Sequence, residues 1–242
     1  MCGRFTLRTP LKDVVELFDL ALTDSALPLD FSESALLPRY NIAPSQQVAC
    51  VRFDADRQQR TLDWLKWGLI PRWADDPSIG NRMINARGET VATKPAFREA
   101  FRRRRCLLPA DAFYEWKRHS GGKQPYLIQL EDKRPFAFAG LWEHWRHGEL
   151  AIDSCTIITT EANSLVSRLH DRMPVILNPE SYKAWLDPQF EDREALERLL
   201  TAYPADRMTI EPVSRAVNSP HNDSPACVES ASAEKTQGSL FD

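Results

Sequence analysis

Cys106-Leu107-Leu108-Pro109-Ala110-Asp111-Ala112-Phe113-Tyr114-Glu115-Trp116-Lys117, followed by Pro125-Tyr126-Leu127-Ile128-Gln129-Leu130 and Pro135-Phe136-Ala137-Phe138-Ala139-Gly140-Leu141-Trp142, places three strand-like runs in close succession. Stretches rich in aromatic and aliphatic residues, bounded by short polar segments, read as extended chain rather than helix. Working outward, runs of the same kind cover Gln47 to Phe53 and Thr61 to Ile70 on one side, and Leu150 to Thr160 and Met173 to Leu177 on the other. Helix candidates are fewer and shorter. They are Pro10 to Leu22, with Thr9 as N-cap and Pro10 at the first helical position, Lys94 to Arg104, Asn178 to Leu186, and Glu191 to Ala202. Strands and helices mix without a regular alternation. The expected fold class is therefore α+β: a mainly antiparallel, bifurcated or barrel-like sheet system flanked by short helices in a single domain.

A chain of 242 residues fits one domain. Its 43% hydrophobic and 27% charged residues are those of an ordinary globular protein. No apolar run approaches the roughly 20 residues of a membrane helix, and Met-Cys-Gly-Arg-Phe lacks the apolar core of a secretory signal. The expectation is a cytoplasmic protein with no membrane partner. Nothing in the sequence requires more than a monomer. The cysteines, at 2, 50, 106, 155 and 227, are odd in number and never paired as Cys-x-x-Cys, which suggests neither a disulfide framework nor a metal site. Cys50 and Cys155 fall inside apolar runs and read as inert core residues. Cys2 does not.

Charge is segregated. Residues 187–242 carry 11 acidic and 5 basic side chains, which leaves 26 basic against 23 acidic in residues 1–186. Arg98 and Arg102 to Arg105 make a dense basic run that suits phosphate contacts, or equally a solvated helix face. From Asn218 onward the composition turns to Ser, Pro, Ala, Asn and acidic residues, so residues 218–242 read as a disordered tail behind a domain of residues 1–217. That tail ends in Gln237-Gly238-Ser239-Leu240-Phe241, whose Leu-Phe pair suits docking and resembles the peptide by which bacterial repair proteins bind the sliding clamp.

Loss of Met1 would leave Cys2 with a free α-amine beside its thiol, with ordinary pKa values of about 8 and about 8.5. An aldehyde meeting that pair forms an imine with the amine and is then closed by the thiol into a five-membered thiazolidine. The ring-opened sugar of an abasic site is such an aldehyde. A cysteine elsewhere in the chain would form only a reversible hemithioacetal.

Several segments look like surroundings for this chemistry: Arg39-Tyr40-Asn41-Ile42-Ala43-Pro44, Trp67-Gly68-Leu69-Ile70-Pro71-Arg72-Trp73, Ile84-Asn85-Ala86-Arg87-Gly88-Glu89-Thr90, Phe113-Tyr114-Glu115-Trp116-Lys117 and Leu169-His170-Asp171-Arg172-Met173-Pro174. With the opening Met-Cys-Gly-Arg-Phe, and in this order, they closely resemble the SOS-response-associated peptidase family, the abasic-site shielding proteins. The resemblance runs from Met1 to about Asn218, with Pro212-Val213-Ser214-Arg215-Ala216-Val217 as its last block.

The resemblance implies that Cys2 is the crosslinking nucleophile, exposed when Met1 is lost, by autoproteolysis or otherwise. It implies that Glu115 shuttles protons, a role suited by desolvation among aromatics, that His170 exchanges a proton with the sugar or imine, and that Asn85 recognises the abasic sugar through its amide. Arg4, Arg87 and Arg172 are implied as phosphate contacts, with Asn41 and Ser214 from the matching blocks also on DNA. Trp73 is implied as a stacking or wedge surface. The second aromatic that many members carry after that tryptophan is Ala74 here. The chemistry implied needs no metal or diffusible cofactor, and the partner implied is single-stranded DNA with abasic sites. Two other readings stay open: an N-terminal-cysteine glutamine amidotransferase, whose opening Arg4-Phe5 does not fit, and a non-catalytic DNA-binding scaffold.

Overall fold

A computed structural model describes residues 2–20, 38–119 and 122–231. In chain order these form β1 (Phe5–Leu7), α1 (Leu11–Leu17), β2 (Arg39–Ile42), β3 (Gln47–Asp54), β4 (Gln59–Trp67), β5 (Asn85–Arg87), α2 (Gly88–Val91), α3 (Arg98–Arg103), β6 (Arg105–Ala110), β7 (Ala112–His119), β8 (Gly122–Leu130), β9 (Phe136–His147), β10 (Leu150–Glu161), β11 (Arg172–Pro174), β12 (Ile176–Leu177), α4 (Tyr182–Leu186), α5 (Arg193–Arg198) and β13 (Met208–Pro212). The class is α+β. Strands β4, β3, β6, β9 and β10 form a closed ring: neighbours run antiparallel except at the seam, where β10 lies parallel to β4 through Ser154↔Lys66 and Cys155↔Trp67. A second sheet has the order β13-β8-β7-β1-β2, antiparallel throughout.

The long run Cys106 to Lys117 is not one strand. It breaks at Asp111, which lets β6 stay in the barrel while β7 joins the second sheet. Asp111 is buried, donates its own N–H to the Thr6 carbonyl (2.9 Å), and accepts from the backbone N–H groups of Arg8 and Thr9 and from the Thr9 hydroxyl. Thr9 is therefore engaged away from the helix it was expected to cap. The helix starts at Leu11 with no side-chain cap bond and already ends at Leu17, with Phe18 as its C-cap, short of the expected end at Leu22, a residue outside those described. The run Thr61 to Ile70 likewise stops at Trp67, because Gly68 takes φ +134° and a Cβ there would sit 2.5 Å from the Gly80 carbonyl oxygen. Strands β1, β2, β5 and β13 had no expected counterpart. Three of them are four residues or shorter, too brief to show a period.

Alternate residues of the barrel strands pack into different cores, which is why their sequences are apolar almost throughout. Cys50, Leu65, Trp67, Cys106, Leu108, Phe138, Cys155 and Ile157 join Cys2, Phe5, Phe113 and Ile128 in one cluster. Val51, Leu62, Leu107, Leu141 and Ile158 pack with Phe101, Trp185, Leu196 and other helical residues in another. The thiols of Cys106 and Cys155 are wholly buried, and desolvation raises both well above the usual thiol range.

Two expectations are corrected. Within the arginine run Arg104 and Arg105 are drawn into the fold, whereas Arg98, Arg102 and Arg103 are exposed, as on a solvated helix face. Arg105 is 2% exposed and donates to the carbonyls of Phe101, Arg102, Trp185, Asp187 and Phe190; burial lowers its pKa to about 10. Arg104 pairs with Glu143, and Arg102 and Arg103 share Glu191. Residues 218–231, expected to be disordered, are packed. Asp223 accepts from the Tyr40 and Asn41 backbone and from Arg39, Cys227 is buried, and Val213 bridges Ser230. Gln237 to Phe241 lie outside the described residues. No helix among the described residues is long and apolar enough to cross a membrane.

Candidate active site

Four residues from four chain segments meet where β1 and β7 approach the barrel. Cys2 precedes β1, in the aromatic cluster with Phe5, Trp67 and Phe113, and is wholly buried. Burial pushes its thiol far up, and the charge of Glu115 adds to the effect. Asn85 opens β5, which lies parallel to β10 with Asn85 opposite Ile157; its Nδ2 donates to the Cys2 carbonyl at 2.8 Å. Its Oδ1 is buried and, among the described residues, accepts no hydrogen bond. The amide thus fixes the backbone of Cys2 and holds one acceptor in reserve.

Glu115 sits on β7, 4% exposed, paired across the sheet with Tyr126. Desolvation raises its carboxyl pKa, and the nearby positive charge of His170 acts against the rise. Such a carboxyl retains its proton at higher pH than a surface glutamate, as acid-base work requires. His170 follows a short 3-10 turn (Val166–Arg168), and its Nδ1 accepts the Arg172 N–H at 2.9 Å. The same nitrogen lies 2.8 Å from Asp171 Oδ1. A neutral ring bonded to Arg172 carries its proton on Nε2, whereas a protonated ring would turn Nδ1 into a donor to Asp171.

An open cleft of about 660 Å³ runs over this site, lined by Arg4, Glu115, Trp116, Arg118, Lys123, His170 and Asn218. Its lining holds three full cations and a single carboxylate. Arg118, Lys123, Trp116 and Asn218 were not among the expected site residues, because what brings them together is the β7–β8 register and the packing of residues 214–219 rather than any local motif. Trp116 Nε1 donates to Asn218 Oδ1 at 2.7 Å, and the Arg4 guanidinium lies 5.6 Å from the Trp116 ring centroid.

The residues expected on DNA divide into two groups. Trp73 is 59% exposed, Arg87 is exposed at the end of β5, and Arg4 reaches the cleft. The other three are engaged inside the protein. Asn41 is wholly buried, accepting from Arg4 Nη1 at 2.6 Å and donating to the carbonyls of Val217, Ser219 and Asn222. It holds Arg4 and the 217–222 segment instead of facing outward. Ser214 is 5% exposed and accepts from the Ala216 N–H at 3.1 Å as the cap of a 3-10 helix (Arg215–Asn218). Arg172 spends its fork on Glu89 (2.6 and 2.9 Å) and donates to the Thr159 carbonyl at 2.7 Å; that pairing holds the Glu89 carboxyl below its usual range. Ala74 is buried, its carbonyl accepting from Trp145 Nε1 at 2.7 Å, so the surface after Trp73 is closed by a small residue.

Comparison with known proteins now gives this arrangement a context. A crystal structure of a Bacteroides thetaiotaomicron protein superposes with TM-score 0.82, covering 95% of this chain and 100% of that one at 24% identity, a likeness of fold. The chain is 47% identical over 232 residues to "Abasic site processing protein YoqW" of Bacillus subtilis, covering 95% of this chain and 100% of the relative. It is 34% identical to "Abasic site processing protein HMCES" of Gallus gallus over 81% of this chain and 67% of the relative. Residues 1–220 match the family described as SOS response associated peptidase (SRAP), and with Cys2, Asn85, Glu115 and His170 drawn from across that span, the chain belongs to it.

Proposed function

We propose that this protein captures abasic sites in single-stranded DNA as a covalent adduct on Cys2. The observation that carries the reading is the convergence on Cys2: Asn85 grips its carbonyl, and the Glu115 carboxyl, itself raised by burial, acts electrostatically on its thiol. The relatives' role in abasic-site processing supports the same conclusion.

The sequence of steps begins with hydrolysis of the Met1–Cys2 peptide bond, which consumes one water and frees the α-amine. With Met1 attached that nitrogen is an amide and cannot attack. The freed amine adds to the aldehyde carbon of the ring-opened sugar, and loss of one water gives the imine. Glu115, protonated, donates to the departing oxygen. The Cys2 thiol then adds to the imine carbon while its proton passes to the nitrogen, closing the thiazolidine. His170, which lines the cleft beside Glu115, moves protons at the sugar oxygen. Asn85 Oδ1, a buried acceptor that takes no hydrogen bond among the described residues, accepts one from a sugar hydroxyl in this scheme. Autoproteolysis is a use of the same nucleophile on its own preceding carbonyl.

The direct check is Cys2→Ala. It should abolish the denaturant-resistant adduct with an abasic oligonucleotide while leaving noncovalent single-strand binding; crosslinking retained by the variant would refute the assignment.

A further inference from the structure

On β7 and β8, Arg118 and Lys123 are directly opposite one another in the antiparallel register. Opposed Cβ atoms in such a pair lie roughly 5 Å apart, and like charges placed this way destabilise a sheet. Both side chains are exposed, both line the cleft above Glu115, and neither makes an ion pair or hydrogen bond with a described residue. Among the described residues the one carboxylate in that lining, Glu115, is 4% exposed. A repulsive pair without an internal partner, at the rim of an open cleft, calls for an anion from outside.

We infer that Arg118 and Lys123 form a two-pronged clamp for a DNA phosphodiester flanking the captured lesion. The inference rests on the proposed function and adds a contact to it. Their spacing lets both reach one phosphate, Arg118 through its planar fork and Lys123 as a compact charge. Arg4, whose guanidinium sits against Trp116 in the same cleft, continues the positive track toward Cys2. The strand would then enter along the β7–β8 hairpin and deliver its abasic sugar to the thiol.

The test uses the full-length Arg118→Gln/Lys123→Gln double variant, neither residue being part of the chemistry. Affinity for an intact single-stranded oligonucleotide should fall roughly tenfold at low salt, and the slope of log K against log salt should shrink by about 0.7, the single-strand value for one phosphate no longer neutralised. At saturating abasic DNA the crosslinking rate should match wild type. Removing the repulsion should leave Tm unchanged or raise it by about 1–3 °C. An unchanged salt slope would overturn the clamp. A lowered Tm accompanying weaker binding would also overturn it, by assigning the pair to folding. A wild type that fails to bind single strands would instead overturn the reading on which the clamp depends.

Discussion

At the scale of single residues, environment does more than identity. Five cysteines share one side chain, yet only Cys2 adjoins an asparagine amide and a carboxyl with a raised pKa. Glu115 gives a measurable signature. Because its folded pKa lies above the ordinary carboxyl value of 4.5, the folded state holds that proton more tightly than the unfolded chain. The contribution is fully present below pH 4.5 and is lost as pH rises through the folded value. In protein that retains Met1, urea midpoints of wild type minus Glu115→Gln should therefore decline over that window and level off above it. A difference independent of pH would remove the raised pKa. The same variant should slow adduct formation, roughly 10²-fold for a lost acid-base group, and an unchanged rate would take Glu115 out of the proton transfer. The residues that meet around Cys2 each stand in a segment that the sequence singles out. What could not be read was which of the expected DNA contacts face outward. Asn41, Arg172 and Ser214 carry the right chemistry for DNA, but burial and hydrogen bonding commit all three internally.

At the scale of elements, the strands of the barrel were legible because each lies in a run rich in aliphatic and aromatic residues. Their pairing was not, because the parallel β10–β4 seam joins segments that no local pattern connects. Asp111 shows the limit well: a break between two strands hides in a run that reads as one, and it depends on contacts with Arg8 and Thr9 some hundred positions away. Arg105 is the clearest reversal. A basic run that suggests phosphate is, at this position, a buried hub tying α3 to the segment after α4 through backbone carbonyls. Arg105→Ala leaves those carbonyls unpaired and a void beside Trp185, and should cost about 3 kcal/mol or more in chemical denaturation. A loss under about 0.5 kcal/mol would mean the guanidinium is a surface cation after all.

At the scale of the whole molecule, charge is organised around the cleft rather than along the chain. The cations that reach it come from the residue before β1 and from β7 and β8, while none of the acidic residues described between 187 and 231 lines it. Binding to intact single strands should accordingly be weakly dependent on base sequence and strongly dependent on salt; comparable affinities at 50 and 200 mM salt would argue against phosphate contacts as its basis.

The central claim is that the reactive unit is the α-amine and thiol of Cys2 together, and intact-mass measurement of the product formed with an abasic oligonucleotide tests it most directly. Without any added reductant, the adduct should survive denaturation with the mass of protein lacking Met1 plus the oligonucleotide minus one water. An adduct that retains Met1, or the absence of any adduct from Met1-free protein, would contradict the account.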